Sequence, residues 1–144
     1  MELAFTTLHP DAVIPQYAHD GDAGLDLVAV DEQTLAPAGG RSMISTGLAV
    51  AIPEGFAGLV LPRSGLAARH GVTCANSPGL IDSGYRGEIR VALVNHDPHA
   101  TYHVRPGDRV AQLVVVAVPI LSPRLVDALP DATRGDGGFG STGR

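Results

Sequence analysis

GLIDSGYRGEIRVALVN, Gly79 to Asn95, is the stretch on which the reading of this chain turns. A short apolar run, Gly79–Ile81, stops at Asp82-Ser83-Gly84. A second run, Glu88–Asn95, places Ile89, Val91 and Leu93 on one face in strict alternation, the period of a strand. The stretch reads as a β-hairpin, with Gly84 free to take positive φ at its tip. A turn needs one Asp or Asn at most. The carboxylate of Asp82 and the phenol of Tyr85, with Arg86 and Arg90 close behind, ask for a reason beyond folding.

Outward from the hairpin, short apolar segments bounded by Gly, Pro or Asp predict strands over Leu3–Leu8, Asp26–Val30, Gln33–Leu35, Met43–Ala51, Gly58–Leu61, Val72–Ala75, Thr101–Val104 and Arg109–Val118. The last is apolar almost throughout and is expected to be buried on both faces. Ser64–His70 is the best helix candidate, with Ser64 as its cap and Gly71 as its stop, and Leu125–Leu129 is a second site for a single turn. The fold class is therefore all-β, a jelly-roll-like β-barrel with one short helix. Residues 1–130 form one domain. Residues 131–144, DATRGDGGFGSTGR, hold one large apolar side chain, cannot offset their ordering entropy, and read as a flexible Gly-rich arm.

The totals agree with a single self-supporting domain. A chain of 144 residues buries roughly 68% of its unfolded surface. Aromatics are only 4% and Trp is absent, so aliphatic side chains must fill the core, and 18 Gly with 11 Pro suit many turns. The lone Cys74, between apolar neighbours, reads as a buried thiol and leaves no disulfide framework, which favours a cytoplasmic location. The amino terminus lacks the basic start and apolar stretch of a signal peptide, and the longest apolar run, Leu113–Ile120, is too short to span a bilayer. A net charge of −5 disfavours nonspecific binding to nucleic acid polymers. All ten basic residues are Arg, which a GC-rich genome explains as readily as phosphate gripping does.

Five clusters bear chemistry. In Asp22-Ala23-Gly24-Leu25-Asp26-Leu27, Asp22 and Gly24 suit a turn, while Asp26 either faces solvent or holds Mg²⁺ directly or through water. Pro62-Arg63-Ser64-Gly65 is either an ordinary helix cap or an anion cradle at a helix start. Asn76 and the hairpin backbone offer donors and acceptors that match a nucleobase edge; Tyr85 is also acceptable as a plain strand aromatic. Gln112 interrupts an apolar strand, so its amide must find a partner, structural or ligand. Arg134 to Gly143 suits a phosphate clasp or a disordered tail, and its Arg-Gly-Asp tripeptide is weak support for adhesion. His96, His99 and His103 are near neighbours across an expected turn and make a poor zinc site.

These five clusters, in this order from Asp22 to Gly143, resemble the five motifs of the trimeric deoxyuridine triphosphate nucleotidohydrolase (dUTPase) family. The resemblance implies a homotrimer with active sites shared between subunits. It implies hydrolysis of dUTP to dUMP and pyrophosphate, which keeps uracil out of DNA and supplies dUMP for thymidylate synthesis. By that likeness Asp82 activates the attacking water, Asn76 binds the uracil edge, and Leu80 and Ile81 line the nucleoside. Tyr85 packs under the deoxyribose. Arg63, Ser64, Gly65, Gln112, Arg134, Gly140, Ser141 and Thr142 hold the phosphates, Arg90 adds a contact, and Phe139 stacks on uracil. Asp26 reaches Mg²⁺ through water. An aspartate, with a reference pKa of about 3.9, is ionised at neutral pH but is a weak base, so placement must supply most of the acceleration. Two rival readings stand. The dCTP deaminases are similar in fold and hairpin but carry a glutamate in the following strand, where this chain has Ala92. A noncatalytic nucleotide-binding module on the same scaffold is the other.

Overall fold

The computed structural model describes residues 2–138. Among them are ten strands and one helix: β1 (Ala4–Thr7), β2 (Leu25–Val28), β3 (Gln33–Leu35), β4 (Gly40–Ala51), β5 (Phe56–Leu61), α1 (Ser64–His70), β6 (Val72–Cys74), β7 (Gly79–Ile81), β8 (Glu88–Asn95), β9 (Tyr102–Val104) and β10 (Arg109–Ala117). One four-stranded sheet runs β1-β4-β8-β6, a second runs β2-β10-β5-β7, and β3 pairs with β9 alone. The pairings are antiparallel throughout. The all-β expectation holds, but no sheet closes on itself, so the architecture is two sheets sharing one core and not a closed barrel.

The alternation of side chains builds that core. Ile89, Val91 and Leu93 of β8 point inward, as do Leu25 and Leu27 of β2, and they meet Ile44, Leu48, Val60 and Leu113 in one cluster. Each leucine so buried contributes about 2 kcal/mol. Cys74 is buried in it, and burial pushes its thiol up to about 11. Asn95, the buried polar end of β8, is satisfied by donating to the Leu35 and Ala100 carbonyls at 3.2 and 2.8 Å.

The opening stretch is not a two-stranded hairpin. β7 pairs with β5 and β8 pairs with β4, so the fold-back at Asp82–Gly87 carries the chain from one sheet to the other. Its tip is closed by the Tyr85 N–H donating to the Asp82 carbonyl at 3.1 Å, and Gly84 stays out of the left-handed region. A change of sheet, unlike a two-residue hairpin loop, does not require that conformation.

Three further expectations are corrected. The residue that caps α1 is Arg63, with no side-chain bond to the helix, and Ser64 is the first helical residue. β10 is buried through Val110, Ala111 and Leu113 but only half-buried over Val114–Val116, where β2 has ended and β5 is its one paired strand. Leu125–Leu129 forms no helical turn; Leu125 is 98% exposed and has nothing to pack on. Gly71 does stop α1, at φ 64°. Among the described residues no helix is long and apolar enough to cross a membrane.

Candidate active site

The fold-back forms one wall of a cavity of about 250 Å³. Asn76, Leu80, Ile81, Asp82, Tyr85 and Arg90 all line it. Gly79 lets the Asn76 amide lie close, since a Cβ there would stand 3.2 Å from Nδ2. Leu80 points outward and is 65% exposed, while Ile81 is anchored in the core. Asp82 presents an exposed carboxylate at the end of β7. Tyr85 curls back over Gly87, where any Cβ would overlap the phenol, and its hydroxyl donates to the Glu88 carbonyl at 2.9 Å. The hydroxyl end of the ring is thus held against Gly87 and Glu88. Arg86 turns the other way and donates to the Ser83 and Tyr85 carbonyls, both at 2.7 Å, closing the tip.

A second constellation is built by strand register. A β-bulge between Arg109 and Ala111 lets Val110 and Ala111 both face the core, after which Gln112 points out, paired with Asp26 on one side and Leu61 on the other. The Gln112 amide donates to the Pro62 carbonyl at 3.0 Å and packs so closely on Gly24 that a Cβ there would overlap it. Asp26 is held by two guanidinium groups: Arg63 Nε at 3.2 Å and Arg109 Nη1 at 3.1 Å. Arg63 also donates to the Arg109 carbonyl at 3.0 Å. Ser64 and Gly65 follow at the exposed start of α1, where first-turn N–H groups lack helical partners. Asp22, Gly24, Asp26 and Gln112 line a cavity of about 420 Å³. Asp22 itself serves the turn, accepting the His19 N–H at 2.9 Å.

Within one chain these two constellations do not share a cavity: of adjacent β5 residues, Val60 lines the first and Leu61 the second. Arg134 joins neither; its Nε donates to the Gly137 carbonyl at 2.8 Å in a local turn. Phe139, Gly140, Ser141 and Thr142 lie outside the described residues. The sequence alone gives no role to Arg109 or Glu88. Arg109 meets Asp26 only through the β2–β10 register, which neither strand's own pattern carries.

A sequence model of the family described as dUTPase matches residues 11–143. The deoxyuridine 5'-triphosphate nucleotidohydrolase of Thermobifida fusca is 54% identical over 136 residues, covering 94% of this chain and 75% of that protein. That of Rhodococcus erythropolis is 48% identical over 143 residues, covering 99% and 87%. Among solved structures, the dUTPase of Staphylococcus bacteriophage 80alpha with dUPNHPP superposes with a TM-score of 0.91 at 28% identity, covering 99% of both chains. A mutant dUTPase of phage phi11 of S. aureus, solved to show coordination of a structural Mg(II) ion, has a TM-score of 0.83 at 27% identity over 89% of this chain and 98% of that one. Fold, carboxylate and arginines, taken with these likenesses, define an all-β hydrolase of nucleotide metabolism. More narrowly, the chain belongs to the dUTPase family.

Proposed function

We propose that this enzyme hydrolyses dUTP to dUMP and pyrophosphate at sites assembled from neighbouring copies of the chain, with Asp82 activating the water. The observation that carries the shared site is the separation of the fold-back cavity from the Arg63–Asp26–Gln112 constellation within one chain. A homotrimer unites them. The exposed Ile120, Leu121, Leu125 and Leu129 that follow β10 are apolar surface of the kind an assembly covers.

In the site, Asn76 and the fold-back main chain pair with the uracil edge, and Leu80 and Ile81 line the nucleoside. Tyr85, its ring fixed over Gly87, excludes a ribose 2′-hydroxyl. From a neighbouring copy come Arg63, Ser64, Gly65 and Gln112 to the phosphates. The arm adds Arg134, Gly140, Ser141 and Thr142 to the phosphates and Phe139 to the base, and Arg90 supplies a further cation. Asp82 accepts a proton from water as the water oxygen bonds to the α-phosphorus, and the bond to the bridging oxygen breaks to release pyrophosphate. Because aspartate is a weak base, in-line placement and charge neutralisation supply most of the rate. Asp26 suits a water-mediated role toward Mg²⁺, since both its oxygens already face guanidinium groups. A bound Mg²⁺ would supply further neutralisation of the triphosphate charge, with Asp26 the residue placed to hold it through water. Cytosine would leave the uracil-pairing groups, covered once a base is bound, unmatched, a mismatch worth about 10⁴-fold.

The test is direct. Purified protein with Mg²⁺ and dUTP releases pyrophosphate and dUMP; tight binding without turnover supports a noncatalytic module instead. Ammonia from dCTP supports a deaminase.

A further inference from the structure

The fold-back that carries Asp82 and Tyr85 runs into β8 at Glu88, which is in register with Ala49 of the distant strand β4 and meets it again through its side chain. In β4 the register with β8 slips between Ser45 and Ala49, leaving Thr46, Gly47 and Leu48 as a buried bulge. Gly47 sits there at φ 65°, and a Cβ on it would stand 2.6 Å from the His9 Cβ, so both conformation and space demand glycine. A bulge breaks the ladder and frees main-chain groups to bond elsewhere. The Gly47 N–H donates to Glu88 Oε1 at 2.9 Å, and the buried Thr46 hydroxyl donates to the Ile89 carbonyl at 2.6 Å. The bulge therefore grips the first two residues of β8. Glu88 is also the residue whose carbonyl receives the Tyr85 hydroxyl.

We infer that Glu88 is a positioning residue for sugar discrimination: its carboxylate, bonded to the β4 bulge, holds the main-chain acceptor that fixes the Tyr85 ring. This rests on Tyr85 lying against the deoxyribose. A side chain that only stabilised the fold would act on dUTP and UTP alike. Glu88 acts on their ratio, because rejecting a 2′-hydroxyl needs a wall that does not yield. A misplacement of about 1 Å suffices to weaken such a wall.

The experiment compares kcat/KM for dUTP with that for UTP in wild type, Glu88→Ala, Glu88→Gln and Tyr85→Ala, with thermal melting of each. Glu88→Ala lowers the dUTP/UTP ratio by about tenfold, mainly through faster turnover of UTP. Glu88→Gln keeps an acceptor oxygen at Oε1 and retains most of the ratio. Tyr85→Ala lowers the ratio furthest. If Tyr85→Ala relaxes selectivity while Glu88→Ala leaves the ratio unchanged, the inference about Glu88 is wrong and the reading of Tyr85 stands. If Tyr85→Ala leaves the ratio unchanged, the reading of Tyr85 fails first. If Glu88→Ala does not fold, Glu88→Gln and Thr46→Val decide. A tenfold loss of ratio in Glu88→Gln overturns the inference, since that variant preserves the bond; the same loss in Thr46→Val, which frees the Ile89 carbonyl, supports the bulge as the anchor, and an unchanged ratio in Thr46→Val overturns it.

Discussion

Asp82 stands exposed at the end of a strand whose preceding residue, Ile81, is locked in the core, and that contrast defines its use. On the proposed mechanism this exposed carboxylate on a rigid mount orients water. Asp82→Asn is therefore expected to bind a nonhydrolysable dUTP analogue within about threefold of wild type by calorimetry while kcat falls about 10³-fold or more. An unchanged kcat removes Asp82 from the mechanism. Cys74 is the opposite case, a reactive group made inert by burial. Its thiol titrates at about 11 in the folded chain against 9.0 for the ordinary group, so folding holds the proton more tightly. The contribution is full below about pH 9 and is lost as pH rises through about 11. Chemical denaturation from pH 8 to 11 is expected to fall less steeply for Cys74→Ala than for wild type. At this scale the sequence is informative: a carboxylate and a phenol on one turn, a lone Cys among apolar residues, and an amide inside an apolar strand each stand out against their surroundings. Arg109 and Glu88 do not stand out, since charged residues at strand starts are ordinary.

At the scale of elements, the strands are legible because alternation survives in runs as short as Ile89-Arg90-Val91. Their partners are not. The pattern within β7 and β8 is the same whether they pair with each other or with β5 and β4, and only the sheets decide it. The bulges in β4 and β10 are hidden for the same reason, and they set the two constellations: one grips Glu88, the other turns Gln112 outward. Gly87 shows how closely an element and a site depend on each other. Gly87→Ala places a methyl where the Tyr85 phenol lies, and the ring is displaced only by breaking its hydroxyl bond to the Glu88 carbonyl. The expected result is a melting temperature within a few degrees of wild type and kcat/KM for dUTP down by about 10²-fold. A loss of stability without loss of activity would mean the ring has no functional position to lose. Removing residues after Thr133 is expected to leave a folded protein with kcat/KM lowered at least ~10²-fold, read by melting and pyrophosphate release. Unfolding of the truncated chain would make the arm structural.

The whole molecule has a core that one chain completes and a site that, on this account, one chain does not. Scarce aromatics indicate an aliphatic core, and Leu27, Ile44, Leu48 and Leu113 are among the side chains that fill it. No periodicity distinguishes a surface that meets water from one that meets a second copy, so assembly is legible only through the family likeness. The measurement that bears most directly on the shared site is complementation. Asp82→Asn and Arg63→Ala chains, each inactive alone, are unfolded together, refolded as a mixture and assayed for pyrophosphate release from dUTP. Sites that take the fold-back from one copy and Arg63 from another recover about a quarter of wild-type activity at equal mixing, because half the fold-backs and half the arginines are intact. A mixture no more active than its two components places both residues of each site in the same chain and contradicts the account.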